Sequence, residues 1–242
     1  MQIAGFNKLT LLDYPGLLAA TLFTPGCSLR CFYCHNSRLV SKPTQDSFLD
    51  EGEVFDFLKK RYGKLTGVCI SGGEPTLQEE LYDFIKKIKS LGYRVKLDTN
   101  GSDPLTLKKL LDARLLDMAA MDIKGSQEEY PVITQCKNIN MEAIQESAAL
   151  LMSYSASDKG SESFSYEFRS TILGGLHSEG SIHSIGRWLR GADTYVLQAY
   201  RSCPPLLNGQ PLPFFREPSY EELERYRQIA LDYFKNVLIR PN

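Results

Sequence analysis

The chain has 242 residues, 43% hydrophobic and 24% charged, with 28 Lys plus Arg against 29 Asp plus Glu. This balance excludes a disordered chain, and a net charge of −1 excludes a strong overall field toward nucleic acid or an anionic membrane. The length fits one large domain or two small ones and buries a core without disulfides, so the six cysteines read as ligands, nucleophiles or core in a reducing compartment. No apolar run is long enough to span a bilayer, and the start lacks the basic and apolar regions of a signal peptide. The expectation is a cytoplasmic protein with no nucleic-acid and no membrane partner.

In chain order, residues 18–23 are a short apolar run ended by Thr-Pro-Gly, which predicts a strand. Val54, Phe55, Leu58 and Tyr62 recur at helical spacing, predicting a helix over 50–62. Strands are predicted at 66–70, 94–97, 116–123, 165–173 and 194–200. Helices are predicted at 77–91, 103–114, 141–152, 178–190 and about 220–234. Gly92 stops the first of these helices, and Pro104 sits at the tolerated first position of the second. Residues 237–240 suggest a further strand. Alternation of strand and helix through six units predicts a parallel α/β sheet with helices outside it. The Ser-rich stretch 153–163 reads as a flexible loop or insertion. The stretch 202–218 holds five of the twelve prolines and reads as a long loop of the lid or docking kind.

Chemistry concentrates after the strands. Cys27, Cys31 and Cys34 put three thiols within eight residues of one loop. Structural zinc usually takes four ligands in two pairs, and a complete four-iron cluster takes four cysteines. Three would leave one iron open to another ligand. Cys69, Cys136 and Cys203 stand alone. Gly72-Gly73-Glu74-Pro75 follows the second strand, where the glycines allow close backbone approach and Glu74 could accept from an ammonium. Asp98-Thr99-Asn100-Gly101 follows the third strand and Asp122-Ile123-Lys124-Gly125 the fourth. Each alone is ordinary turn or cap chemistry. Together they line the end of a parallel sheet where sites are built. Gln198 and Tyr200 end the sixth strand. Arg169, in the fifth, points to solvent or into the mouth. His35 is a candidate cap or supporting donor, and His177 and His183 read as solvated. No Ser-His-Asp order or phosphate-binding glycine loop is present.

The Cys-x3-Cys-x2-Cys loop followed by Gly-Gly-Glu-Pro resembles the radical S-adenosylmethionine (SAM) enzymes. Residues 5–16 with their Asp13-Tyr14-Pro15-Gly16, Phe23–Cys27 and Tyr33–Asn36 more narrowly resemble the activating proteins of glycyl-radical enzymes. The nearest branch is that of anaerobic ribonucleoside-triphosphate reductase. The resemblance implies a partial (βα)6 parallel barrel of the radical SAM type and a single domain over 1–242. It implies one [4Fe–4S] cluster on Cys27, Cys31 and Cys34, with S-adenosylmethionine on the fourth iron. Glu74 and the Gly72-Gly73 backbone would meet its amino group. Asp98 and Lys124 would meet its ribose and carboxylate, and the Tyr33 backbone its adenine. Asn100, Arg169 and Gln198 are further candidate cofactor contacts. Asp98, Thr99 and Asp122 match positions that bind a monovalent cation in some activases. Asp13 falls where the family approaches its peptide substrate. Tyr200-Arg201 stands where some activases have a His. The implied activity is cofactor cleavage to a 5′-deoxyadenosyl radical that makes a glycyl radical on a partner enzyme, with a flavodoxin- or ferredoxin-type electron donor. The alternatives are a small-molecule enzyme like the 7-carboxy-7-deazaguanine synthases and a non-catalytic iron–sulfur protein.

Overall fold

The computed structural model describes residues 1–40, 48–157, 164–202 and 215–240. The chain forms two compact units, Met1–Ser28 with Arg38–Ala120 and Ala143–Ser165, and Leu29–Ser37 with Met121–Glu142 and Tyr166–Asn242. In the first, strands β1 (Gly5–Thr10), β2 (Ala19–Thr24), β3 (Gly67–Gly72), β4 (Arg94–Thr99) and β5 (Met118–Asp122) are hydrogen-bonded in that order. The last two residues of β5 belong to the second unit, where β6 (Ser165–Ile172), β7 (Thr194–Ala199) and β8 (Asn236–Arg240) follow in order. The pairs β2–β3, β3–β4, β6–β7 and β7–β8 are parallel. Buried apolar runs such as Val68, Cys69 and Ile70 suit strands covered on both faces.

Helices α1 (Ser37–Val40), α2 (Glu51–Arg61), α3 (Leu81–Ser90), α4 (Pro104–Asp112), α5 (Tyr130–Thr134), α6 (Met141–Ser157), α7 (Glu179–Trp188) and α8 (Tyr220–Ala230) connect them. Local chemistry fixes their starts. Asp50 caps α2 through Glu53 N–H, Asp103 caps α4, and Ser178 and Ser219 close capping boxes on α7 and α8. Among the described residues no helix is long and apolar enough to cross a membrane.

Several expectations are corrected. β1 was not anticipated; it is an antiparallel edge strand on β2. The helix predicted from residue 77 is a 3-10 turn, Pro75–Leu77, and then α3 from Leu81, because Glu74 caps the turn first. The stretch from 153 is not all loop, since α6 runs to Ser157; residues 158–163 lie outside the described part. Most of the 202–218 loop, 203–214 with Cys203, also lies outside it. Its ends are tied down within the second unit. Arg216 pairs through its backbone with Gly174, and Phe215 stacks on Phe32 with ring centroids 5.2 Å apart.

Candidate functional site

In the first unit the turn after β3 is stitched to the start of the cysteine loop. Gly73 N–H donates to the Thr24 carbonyl at 2.9 Å, and Glu74 N–H to the Gly26 carbonyl at 2.8 Å. Gln78 Nε2 donates to the Pro25 carbonyl at 2.9 Å. The two glycines make this approach possible. Gly72 has φ +124°, and a Cβ on Gly73 would lie 2.0 Å from the Gly26 oxygen. These glycines bring the turn close against the loop that carries Cys27.

Glu74 is fully buried. Its Oε1 accepts from Thr76 N–H (3.1 Å), Thr76 Oγ1 (2.7 Å) and Thr99 Oγ1 (2.8 Å), and its Oε2 from Asn100 N–H (2.6 Å). Burial pushes its pKa above the usual carboxylate range, against the pull of those donors. The carboxylate therefore locks the turn after β3 to the turn after β4. From there Asn100 Nδ2 donates to Ser28 Oγ (3.1 Å) and reaches Cys27 Sγ (3.7 Å). Gly101 N–H donates to Thr99 Oγ1 at 3.1 Å. Asp98 is ion-paired with Lys96, a residue sequence reasoning did not single out. Asp13 accepts from Thr21 Oγ1 at 2.5 Å.

In the second unit Cys34 N–H donates to the Cys31 carbonyl (3.1 Å), closing a turn around Phe32 and Tyr33. Asp122 bridges two cations, Arg169 Nε on Oδ1 at 2.9 Å and Lys124 Nζ on Oδ2 at 3.1 Å. Burial pushes the Asp122 carboxyl up, but Arg169 and Lys124 outweigh it and hold its pKa at about 2. The same pairing raises Lys124 against burial. Arg169 is thus turned to Asp122, its side chain 13% exposed. Gln198 is half-buried in β7. His35 stacks on Tyr200, with rings 8° from parallel, and bonds the Arg201 carbonyl at 2.8 Å. His177 is not solvated as expected. It is buried, its Nδ1 accepts from Leu173 N–H (3.1 Å) and its Nε2 meets the Lys124 carbonyl (3.0 Å). It thereby braces the Asp122–Lys124 turn, which a lone His in a polar stretch gave no sign of. His183 is half-buried against Tyr233 Oη.

Residues 21–159, more than half of the chain, match the Radical SAM superfamily. The chain belongs to that superfamily. Its members use a [4Fe–4S] cluster and S-adenosylmethionine. A Methanocaldococcus jannaschii protein, provisionally named a glycyl-radical enzyme activating enzyme, is 28% identical over 98% of this chain and 95% of its own length. The pyruvate formate-lyase-activating enzyme of Staphylococcus epidermidis is 33% identical over 51% of this chain and 53% of its own. Among solved structures, Streptococcus suis SuiB bound to S-adenosylmethionine superposes with a TM-score of 0.63 at 12% identity. It covers 92% of this chain, which spans 51% of that one. That likeness supports the expected α/β fold.

The residues present suit the superfamily's two groups. Three thiols are the soft donors an iron–sulfur cluster takes. Among the described residues no three His, Cys, Asp or Glu side chains are gathered around one metal-ion position. A cluster does not ask for that, since each thiolate binds a different iron. The amide hydrogen of Asn100 on Cys27 Sγ favours a thiolate there. The Tyr33 hydroxyl is buried with no hydrogen-bond partner among the described residues, a polar group that a ligand could satisfy. A monovalent cation does not fit. Of the three positions matched to such a site, Asp98 already holds Lys96, Asp122 holds Lys124 and Arg169, and Thr99 Oγ1 is engaged with Glu74 and Gly101.

Proposed function

We infer that this radical SAM protein, a single domain, activates a glycyl-radical enzyme, with an anaerobic ribonucleotide reductase as the first candidate partner and a flavodoxin- or ferredoxin-type electron donor, in the cytoplasm. The observation that carries the reading is the three-thiol loop whose start is bound to the Gly-Gly-Glu turn. Likeness along nearly the whole chain to a glycyl-radical enzyme activating enzyme supports it. When bound, the cluster and S-adenosylmethionine supply reductive cleavage of the cofactor and removal of one hydrogen atom from the substrate.

Cys27, Cys31 and Cys34 would hold the cluster. Among the described residues the Glu74 carboxylate is taken up by Thr76, Thr99 and Asn100, so its part is to fix the turn. The cofactor's amino group falls to the backbone of Gly72 and Gly73. Lys124, held by Asp122, and Asp98 orient its carboxylate and ribose. The Tyr33 backbone would meet its adenine, with Asn100, Arg169 and Gln198 in support. Asp13 receives the glycine-bearing segment of the partner. Glycine suits the step because its bare Cα comes close and its radical is stabilised by two flanking amides.

The test is anaerobic incubation of cluster-loaded protein with reductant, S-adenosylmethionine and the candidate partner. A glycyl doublet in the partner's electron paramagnetic resonance spectrum is expected. Turnover of a purine-like small molecule with no doublet would replace this reading with the small-molecule one.

A further inference from the structure

Lys96 lies in the middle of β4 between Val95 and Leu97, which are fully buried, and its own side chain is 1% exposed. A lysine ammonium is costly to bury unless paired. Here the partner is Asp98, two residues on and so on the same face of the strand. The register of β3 sets Cys69 directly across from Lys96, with Sγ 4.0 Å from Nζ. The register of β2 sets Thr21 across from Cys69, and the Thr21 hydroxyl donates to Asp13. One face of three parallel strands thus carries a polar row from Asp13 to Asp98. The Lys96 ammonium lies in that row, next to the carboxylate that a monovalent cation would have to share.

We propose that the Lys96 ammonium takes the place of the monovalent cation, neutralising Asp98 as a positioning residue, so that this protein binds S-adenosylmethionine without any alkali-metal ion. The inference rests on the reading above that S-adenosylmethionine is the cofactor. A metal ion at Asp98 would face the ammonium at contact distance, where like charges repel strongly. It could enter only by displacing Nζ, which would strand a buried ammonium. The carboxylate of Asp122 cannot recruit the ion instead, because two side chains of its own unit already neutralise it.

The test is calorimetric titration of cluster-loaded protein with S-adenosylmethionine, in a buffer whose cation is choline and then with KCl or NaCl at the same ionic strength. Wild-type affinity is expected to stay within about twofold across these salts. K96M, and K96Q, which keeps a donor for Asp98 without the charge, are expected to lose about tenfold or more in choline and to regain most of it in KCl or NaCl. K96R should remain indifferent to the salt. A merely structural lysine would give variants that no alkali-metal ion restores, and that result overturns the proposal. A wild type that needs potassium or sodium overturns it as well, and decides the matter alone if the neutral variants do not fold. Absence of binding heat from the wild type in every salt would instead refute the cofactor reading, and this inference with it.

Discussion

A carboxylate drawn into a protein needs a counter-charge or a set of donors, and fully buried Glu74 and partly exposed Asp122 take different routes. Glu74 relies on four hydrogen bonds from neutral groups, whereas Asp122 relies on two cations. The second route gives a measurable pH dependence. Asp122 has its pKa lowered from 3.8 to about 2 in the folded protein. A depressed carboxylate stabilises the fold above its ordinary pKa, and that contribution is lost as pH falls from 3.8 toward 2. We predict that the wild type's denaturation midpoint drops through this acid window, and that Asp122→Asn removes part of the slope. At neutral pH the variant should be less stable, since Lys124 and Arg169 then lack their anion. Parallel wild-type and variant curves across the acid range would show that the pairing does not set the titration. These pairings were not legible in the sequence. Asp98 and Asp122 were singled out as motif members, but Asp98 pairs with Lys96 two residues back, and Asp122 pairs with Arg169 on another strand as well as with Lys124 two residues on. Lys96 read as an ordinary polar residue of a short strand.

At the scale of elements, the turn after β3 and the loop after β2 are one construction, because each supplies backbone groups that the other lacks. Gly73→Ala would push a methyl against the Gly26 carbonyl, and backbone cannot swing aside as a flexible side chain can. The expected cost is about 1–3 kcal/mol by the measure of an overpacked core, with displacement of the cysteine loop. Chemical denaturation should show the loss of stability, and iron content after anaerobic reconstitution should fall. Full iron loading at wild-type stability would contradict the stitched-turn account. In the second unit β8 is held by more than its ladder on β7. Arg240 meets Glu167 of β6 with two bonds of 2.7 Å, and the Glu167 side chain is 3% exposed. Arg240→Ala leaves that carboxylate buried alone, so a loss of about 3 kcal/mol is expected, the low end for breaking a buried pair because Arg240 is itself partly exposed. Urea unfolding would measure it, and an unchanged midpoint would mean that water replaces the guanidinium.

Over the described residues, strands β2 to β8 and the six longer helices α2, α3, α4, α6, α7 and α8 followed from apolar runs, helical spacing, caps and stops. What escaped had a physical reason. β1 carries three exposed residues in a row, so it shows neither alternation nor an apolar run. The turns α1 and α5 are too short for periodicity to register. The helix α6 continues into a serine-rich stretch because an established helix propagates through residues that would not start one. The thiol spacing and the glycine turn were legible because they are local, and the site's hydrogen-bond network was not because it is assembled from distant segments. That assembly also limits how such a protein can change by exchanging parts. A βα unit bearing the three cysteines could not be transplanted alone into another sheet. Its loop takes its starting direction from the turn that follows the next strand, so the two units would have to travel as a pair.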